Sequence, residues 1–169
     1  MSDGVLIGAG VGLLVALGLL IFLLARRSDP SRAIATVRLA PDAPVELRFQ
    51  APSERAHSLW VRFEVLYHGG EDDYGVAVET EARTSEGVLL TVEKRAGERA
   101  PAIGPHFSRW GGLYRVHEWS TPHEQGVKAS MEMGRIPGVP VGTEIVVTGR
   151  VALGRDCRLA ALEVFVLPG

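Results

Sequence analysis

Two hydrophobic patterns divide the chain. From Val5 to Ala25 every position is aliphatic, aromatic or glycine, with no charge, no proline and no amide side chain. At the rise of an α-helix, 21 such residues extend about 30 Å, the thickness of a bilayer's hydrocarbon core. This predicts a transmembrane helix. A buried core helix is normally shorter and broken by polar residues. A cleavable secretory signal fits poorly, because no basic residue precedes the run and no small-residue cleavage site follows it.

After Pro30 the pattern changes to alternation, the period of a half-buried strand. Ile34 to Leu39 predicts a first strand, and VELRFQ a second, with Val45, Leu47 and Phe49 opposed to Glu46, Arg48 and Gln50. LWVRFEVLYH, after the polar APSERAHS loop, is the longest: Leu59, Val61, Phe63, Val65 and Tyr67 share one face, and Trp60, Arg62, Glu64 and His68 the other. Trp60 on the polar face needs a loop or a membrane surface to cover it.

YGVAVETEA and VLLTVEKRA follow, separated by turn residues, and with the preceding strand they read as a meander. In the second of these, Val88, Leu90 and Val92 share the apolar face. LYRVHEW, VKASMEM, TEIVVTGRVAL and CRLAALEVFVL complete the series. A Gly154-Arg155-Asp156 turn makes the last two look like the clearest hairpin. LEVFVL is apolar on both faces, as in a central strand.

The expected fold is therefore all-β: an antiparallel β-sandwich of about nine strands, jelly-roll or Greek-key like, preceded by one N-terminal transmembrane helix. A closed barrel is the alternative. The organisation is an anchor over 1–25, a basic connector over 26–32 and a sandwich domain over 33–169.

Charge sets the expected orientation. Asp3 alone is charged before the apolar run, whereas Arg26, Arg27 and Arg32 follow it, and basic residues stay on the cytoplasmic side. The expected localisation is a single-pass membrane protein with its large domain in the cytoplasm. The one cysteine, Cys157, forms no internal disulfide and agrees with a reducing compartment. Within the helix, Gly4, Gly8, Gly12 and Ala16 recur every fourth residue, a small-residue stripe suited to homodimer packing.

From Ala33 onward 15 Lys and Arg stand against 18 Asp and Glu, with the signs interspersed. That is not the basic field nucleic-acid binding needs. The Arg-rich, Asn-free, Ala- and Gly-rich composition suggests a GC-rich bacterial gene.

The chain carries no phosphate loop, no G-x-S-x-G elbow, no H-E-x-x-H and no cysteine pair. Cys157 has no neighbouring base and reads as a half-buried structural thiol. Glu71, Asp72 and Asp73 offer calcium-type oxygen ligands but more often mark a hairpin tip. The densest chemistry lies in PHFSRWGGLYRVHEWSTPHE, residues 105–124, where His106, Arg109, Trp110, Arg115, His117, Trp119 and His123 gather stacking, cation-π and anion-binding groups. His117 and Trp119 share one strand face; if Tyr114 and Val116 point to the core, the pair faces outward. His106, His117 and His123 make a metal alternative whose spacing matches no ligand framework.

No stretch carries a family motif. The expected function is a single-pass membrane-anchored β-sandwich acting as a protein-interaction or scaffolding module, with a protein partner, a lipid bilayer contacted through Val5 to Ala25, and no cofactor. The alternative is a small-ligand or carbohydrate-binding sandwich that uses the patch over 105–124. An enzyme ranks behind both.

Overall fold

A computed structural model describes residues 29–39, 44–69, 74–97, 101, 113–121 and 124–169, with backbone alone for 113–115. The apolar segment 5–25, with Gly4, Gly8, Gly12 and Ala16, lies outside these residues. Among the described residues no helix is long and apolar enough to cross a membrane.

The described chain begins with a 3-10 turn, Pro30–Arg32. Its first backbone N–H groups are handled locally. Asp29 caps the turn by accepting a hydrogen bond from Ser31 N at 3.0 Å, and Pro30 has no N–H to satisfy. Nine strands follow: β1 Ala35–Leu39, β2 Val45–Gln50, β3 His57–Tyr67, β4 Val76–Thr84, β5 Gly87–Ala96, β6 Leu113–Ser120, β7 Gln125–Ile136, β8 Glu144–Leu153 and β9 Cys157–Leu167. They pair antiparallel in two sheets, one of five strands in the order β1-β9-β3-β7-β6 and one of four in the order β2-β8-β4-β5.

The alternating faces explain the stacking. Leu59, Val61, Phe63 and Val65 of β3, Val127, Ala129 and Met131 of β7, and Leu162, Val164 and Val166 of β9 are buried. They share one core with Val45 and Leu47 of β2, Val76, Val78 and Ala82 of β4, and Ile145 and Val147 of β8. Along one side the sheets approach through β5 and β7, where Lys94 Nζ donates to the carbonyl O of Glu132 at 2.7 Å. The chain is thus an antiparallel β-sandwich, and its repeated crossing between sheets is the winding of a jelly roll.

That winding overturns two expectations drawn from neighbouring segments. β3, β4 and β5 are not a meander: β4 pairs with β5 and β8, while β3 lies in the opposite sheet between β9 and β7. β8 and β9 are not a hairpin either, since β8 pairs with β2 and β4, and β9 with β1 and β3. The turn between them carries the chain from one sheet to the other, with Asp156 at φ 63° and Gly154 N bonded to Gly75 O at 2.7 Å. Asp tolerates that left-handed backbone better than most residues.

One-residue bulges account for two side chains on unexpected faces. In β5 the register slips between Ala82 and Arg83, so Leu90 and Val92 face inward while Val88, opposite Arg83, is 58% exposed. In β6 it slips between Tyr114 and His117, and Val116 is 45% exposed rather than in the core.

Trp60 differs in the other direction. On the outer face of β3 it is fully buried, stacked on Phe165 with centroids 6.3 Å apart, and both rings pack with Leu167 and Ala33 in a second small core. The segment entering β1 therefore belongs to the sandwich.

Candidate functional site

The outer face of the five-stranded sheet is organised by register. Arg38 of β1, Glu163 of β9, Arg62 of β3 and Ser130 of β7 are successive cross-strand partners, so four polar side chains stand in one row. Glu163 sits at its centre and is only 8% exposed. Arg38 Nε donates to its Oε1 at 3.1 Å, Arg62 Nη1 to its Oε2 at 3.4 Å, and the Thr36 hydroxyl to Oε1 at 3.5 Å. Arg62 Nε also donates to Ser130 Oγ at 3.4 Å. In the next row Lys128 Nζ lies 3.3 Å from Glu64 Oε2.

Opposite charges facing one another across strands stabilise the sheet, and they hold long side chains in fixed positions. The two arms of the row differ in weight. Arg38 is largely in water, where a pair contributes at most about 1 kcal/mol. Arg62 is mostly covered, so Glu163 is the acceptor its guanidinium would lack if the carboxylate were removed.

Two grooves flank this row. One, of about 370 Å³, is lined by Arg38, Arg62, Glu64, Lys128, Glu163 and the Ala160–Leu162 segment. The other, of about 500 Å³, lies toward Asp29, Pro30 and Ser31 and shares Arg38, Arg62 and Glu163. The first has a local cause. β9 bulges between its partners Glu64 and Val65, leaving Ala160 as an extra residue, and two alanines floor a hollow among long charged side chains. The sequence carried a signal for it: Leu159 and Leu162 both face the core although three positions apart, which plain alternation forbids.

Of the seven residues singled out in 105–124, the structure describes the side chains of His117 and Trp119. They share one face of β6 and stack, with ring centroids 5.8 Å apart at 27°. Trp119 lies over its partner Gly126 in β7; a Cβ there would come within 2.1 Å of the indole Cζ2. Part of the tryptophan's surface is thus used in packing, and the exposed His117 ring extends the aromatic surface. His106, Arg109, Trp110, His123 and the Arg115 side chain lie outside the described residues, as do Glu71, Asp72 and Asp73.

Among the described residues no three of His, Cys, Asp and Glu form a metal-binding group. Cys157 is half-buried and its thiol points toward the Arg155 carbonyl at 3.7 Å. On the other sheet, Glu46 hydrogen-bonds Arg48 at 2.8 Å and raises the guanidinium pKa above its ordinary value, first through that bond and then through its charge. What the outer face of the five-stranded sheet offers is fixed charges of both signs beside open grooves, with an aromatic pair at the β6 edge.

No family model and no curated protein matches the chain. Among solved structures it is similar to Eiger TNF from S. frugiperda, at 10% identity over 80% of this chain and 86% of that one, with a TM-score of 0.28. At that score the strand pairing remains the ground for the fold.

Proposed function

We propose that this chain is a single-pass membrane protein whose β-sandwich docks a protein partner on the outer face of the five-stranded sheet and holds it at the cytoplasmic surface. The observation that carries the reading is the row Arg38–Glu163–Arg62–Ser130 with its flanking grooves. Alternating charges fixed in register favour a partner of complementary mixed charge and disfavour a polyanion, and such complementarity chiefly confers specificity and encounter rate. The apolar run 5–25 and Arg26, Arg27 and Arg32 support the anchor and its orientation. The stripe Gly4, Gly8, Gly12 and Ala16 supports a helix-mediated homodimer as one arrangement of the anchor.

A second reading, a small-ligand or carbohydrate site, is favoured by the stacked His117–Trp119 pair and by groove volumes within the usual range for small-molecule sites. Topology separates the readings. A compartment-specific reporter fused after Gly169 reports a cytoplasmic C-terminus if the recruitment reading holds. An external C-terminus refutes recruitment inside the cell and moves the aromatic pair to the front.

A further inference from the structure

Three arginines line a cavity at the end of the sandwich where the chain enters β1. Ser58, near the start of β3, is in register with Arg135 of β7 on one side and Leu167 of β9 on the other. Arg55 precedes the same strand, and Arg32 closes the 3-10 turn whose next residue, Ala33, packs on Trp60, Phe165 and Leu167. Three guanidinium groups from distant parts of the sequence thereby border one cavity of about 480 Å³, completed by Ala56, Ser58, Leu167, Pro168 and Gly169. Among the described residues no Asp or Glu lines it.

Arg38, Arg48, Arg62, Arg95, Arg150 and Arg158 each hold a carboxylate. Arg32, Arg55 and Arg135, like Arg83 and Arg155, hold none among the described residues, and only the first three share a cavity. Convergence of like charges is unfavourable by itself and is offset when an anion sits between them. A guanidinium presents planar, fork-shaped donors matched to the oxygens of phosphate, and the Ser58 hydroxyl adds a neutral donor in the same cavity.

We propose that this arginine-lined end is an oxyanion site that takes a phosphate group. Free phosphate and a phospholipid headgroup present the same chemistry. The headgroup source rests on the anchored reading above: Arg32 lies seven positions after Ala25, at most about 25 Å of extended chain. The arginine convergence itself does not depend on that reading.

The test uses the full chain in two arms. In neutral detergent, inorganic phosphate is titrated and followed by calorimetry. In lipid nanodiscs of phosphatidylcholine, with and without phosphatidylglycerol, backbone hydrogen exchange is read at residues 55–58 and 134–136. Phosphate binding in detergent that weakens about tenfold in Arg55→Ala and again in Arg135→Ala, with Lys variants intermediate, identifies free phosphate as sufficient. Protection confined to the discs containing phosphatidylglycerol, and lost in the same Ala variants, identifies the headgroup.

The proposal is overturned if phosphate neither binds nor protects and the two disc compositions give the same exchange. It is overturned equally if the double Ala variant behaves as the parent in both arms. All three arginines are exposed, so a folded variant is expected, and far-UV circular dichroism checks it. A chain that fails to enter the discs counts against the anchor, while the phosphate titration still decides the site.

Discussion

His57 is the least satisfied polar side chain of the core, and replacing it makes a quantitative test of the fold. It opens β3 on the inward face, is completely buried, and neither ring nitrogen has a hydrogen-bond partner among the described residues. Its ring meets Phe49 edge-on at 6.4 Å, and its cross-strand neighbour is Ile136. A neutral imidazole has one donor and one acceptor, and leaving each unmet in the interior costs about 1–3 kcal/mol. The edge-on aromatic contact returns about 0.5–1.5 kcal/mol. The desolvation cost exceeds the ring contact, so His57→Leu, which keeps a similar volume without polar atoms, should stabilise the domain by about 1–3 kcal/mol. For a domain of this size that raises the thermal midpoint by roughly 3–10 °C. Urea unfolding of parent and variant under identical detergent, followed by far-UV circular dichroism, measures it, with an unchanged m-value required. A destabilised His57→Leu refutes the reasoning, because it means the imidazole makes a hydrogen bond worth more than its desolvation.

Three further outcomes follow from the same geometry. A double-mutant cycle on Glu163→Gln should give a coupling of about 1 kcal/mol with Arg62→Ala and under about 0.5 kcal/mol with Arg38→Ala, because the second pair is exposed; the reverse order contradicts the assignment of weight within the row. Gly126→Ala should push the Trp119 ring off β7, at a cost of about 1–3 kcal/mol, and raise acrylamide quenching of that indole relative to a Trp119→Phe control. Unchanged quenching means the ring does not rest on that glycine. Deleting residues 1–28, which retains the Asp29 cap and Ala33, should release a soluble β-rich domain; an aggregated product means the removed segment covers part of the core.

The strands were largely legible because alternation is local. VELRFQ and CRLAALEVFVL coincide with β2 and β9, and the other strands differ from their expected limits by one to three residues at one end or both. Which sheet each strand enters was not legible, since inward Val76 and inward Val61 carry the same period although they belong to opposite sheets. A short Gly-containing turn between two apolar runs marks a hairpin or a corner alike, and between β8 and β9 it is a corner. Bulges defeated the alternation itself: an extra residue turns Val88 outward and makes the Ala160–Ala161 hollow.

APSERAHS is polar in composition and predicts a loop through His57, whereas pairing with Ile136 draws that residue into the core. Glu163, inside the apolar run LEVFVL, gives no hint of its role until β1 and β3 place Arg38 and Arg62 on either side. The arginine-lined end escaped for the same reason, as its three residues are brought together only by β3, β7 and the turn before β1.

Photo-crosslinking in native membranes tests the central claim most directly. A photoreactive side chain is placed at Lys128 or Ala161, beside the charged row, and in parallel at Thr91 or Thr148 on the outer face of the opposite sheet. The proposed function predicts a discrete protein adduct from the first pair of positions, absent from the second and abolished by Arg62→Glu in a chain that remains folded. Equal crosslinking from both sheets, or a single adduct from the opposite sheet alone, contradicts it.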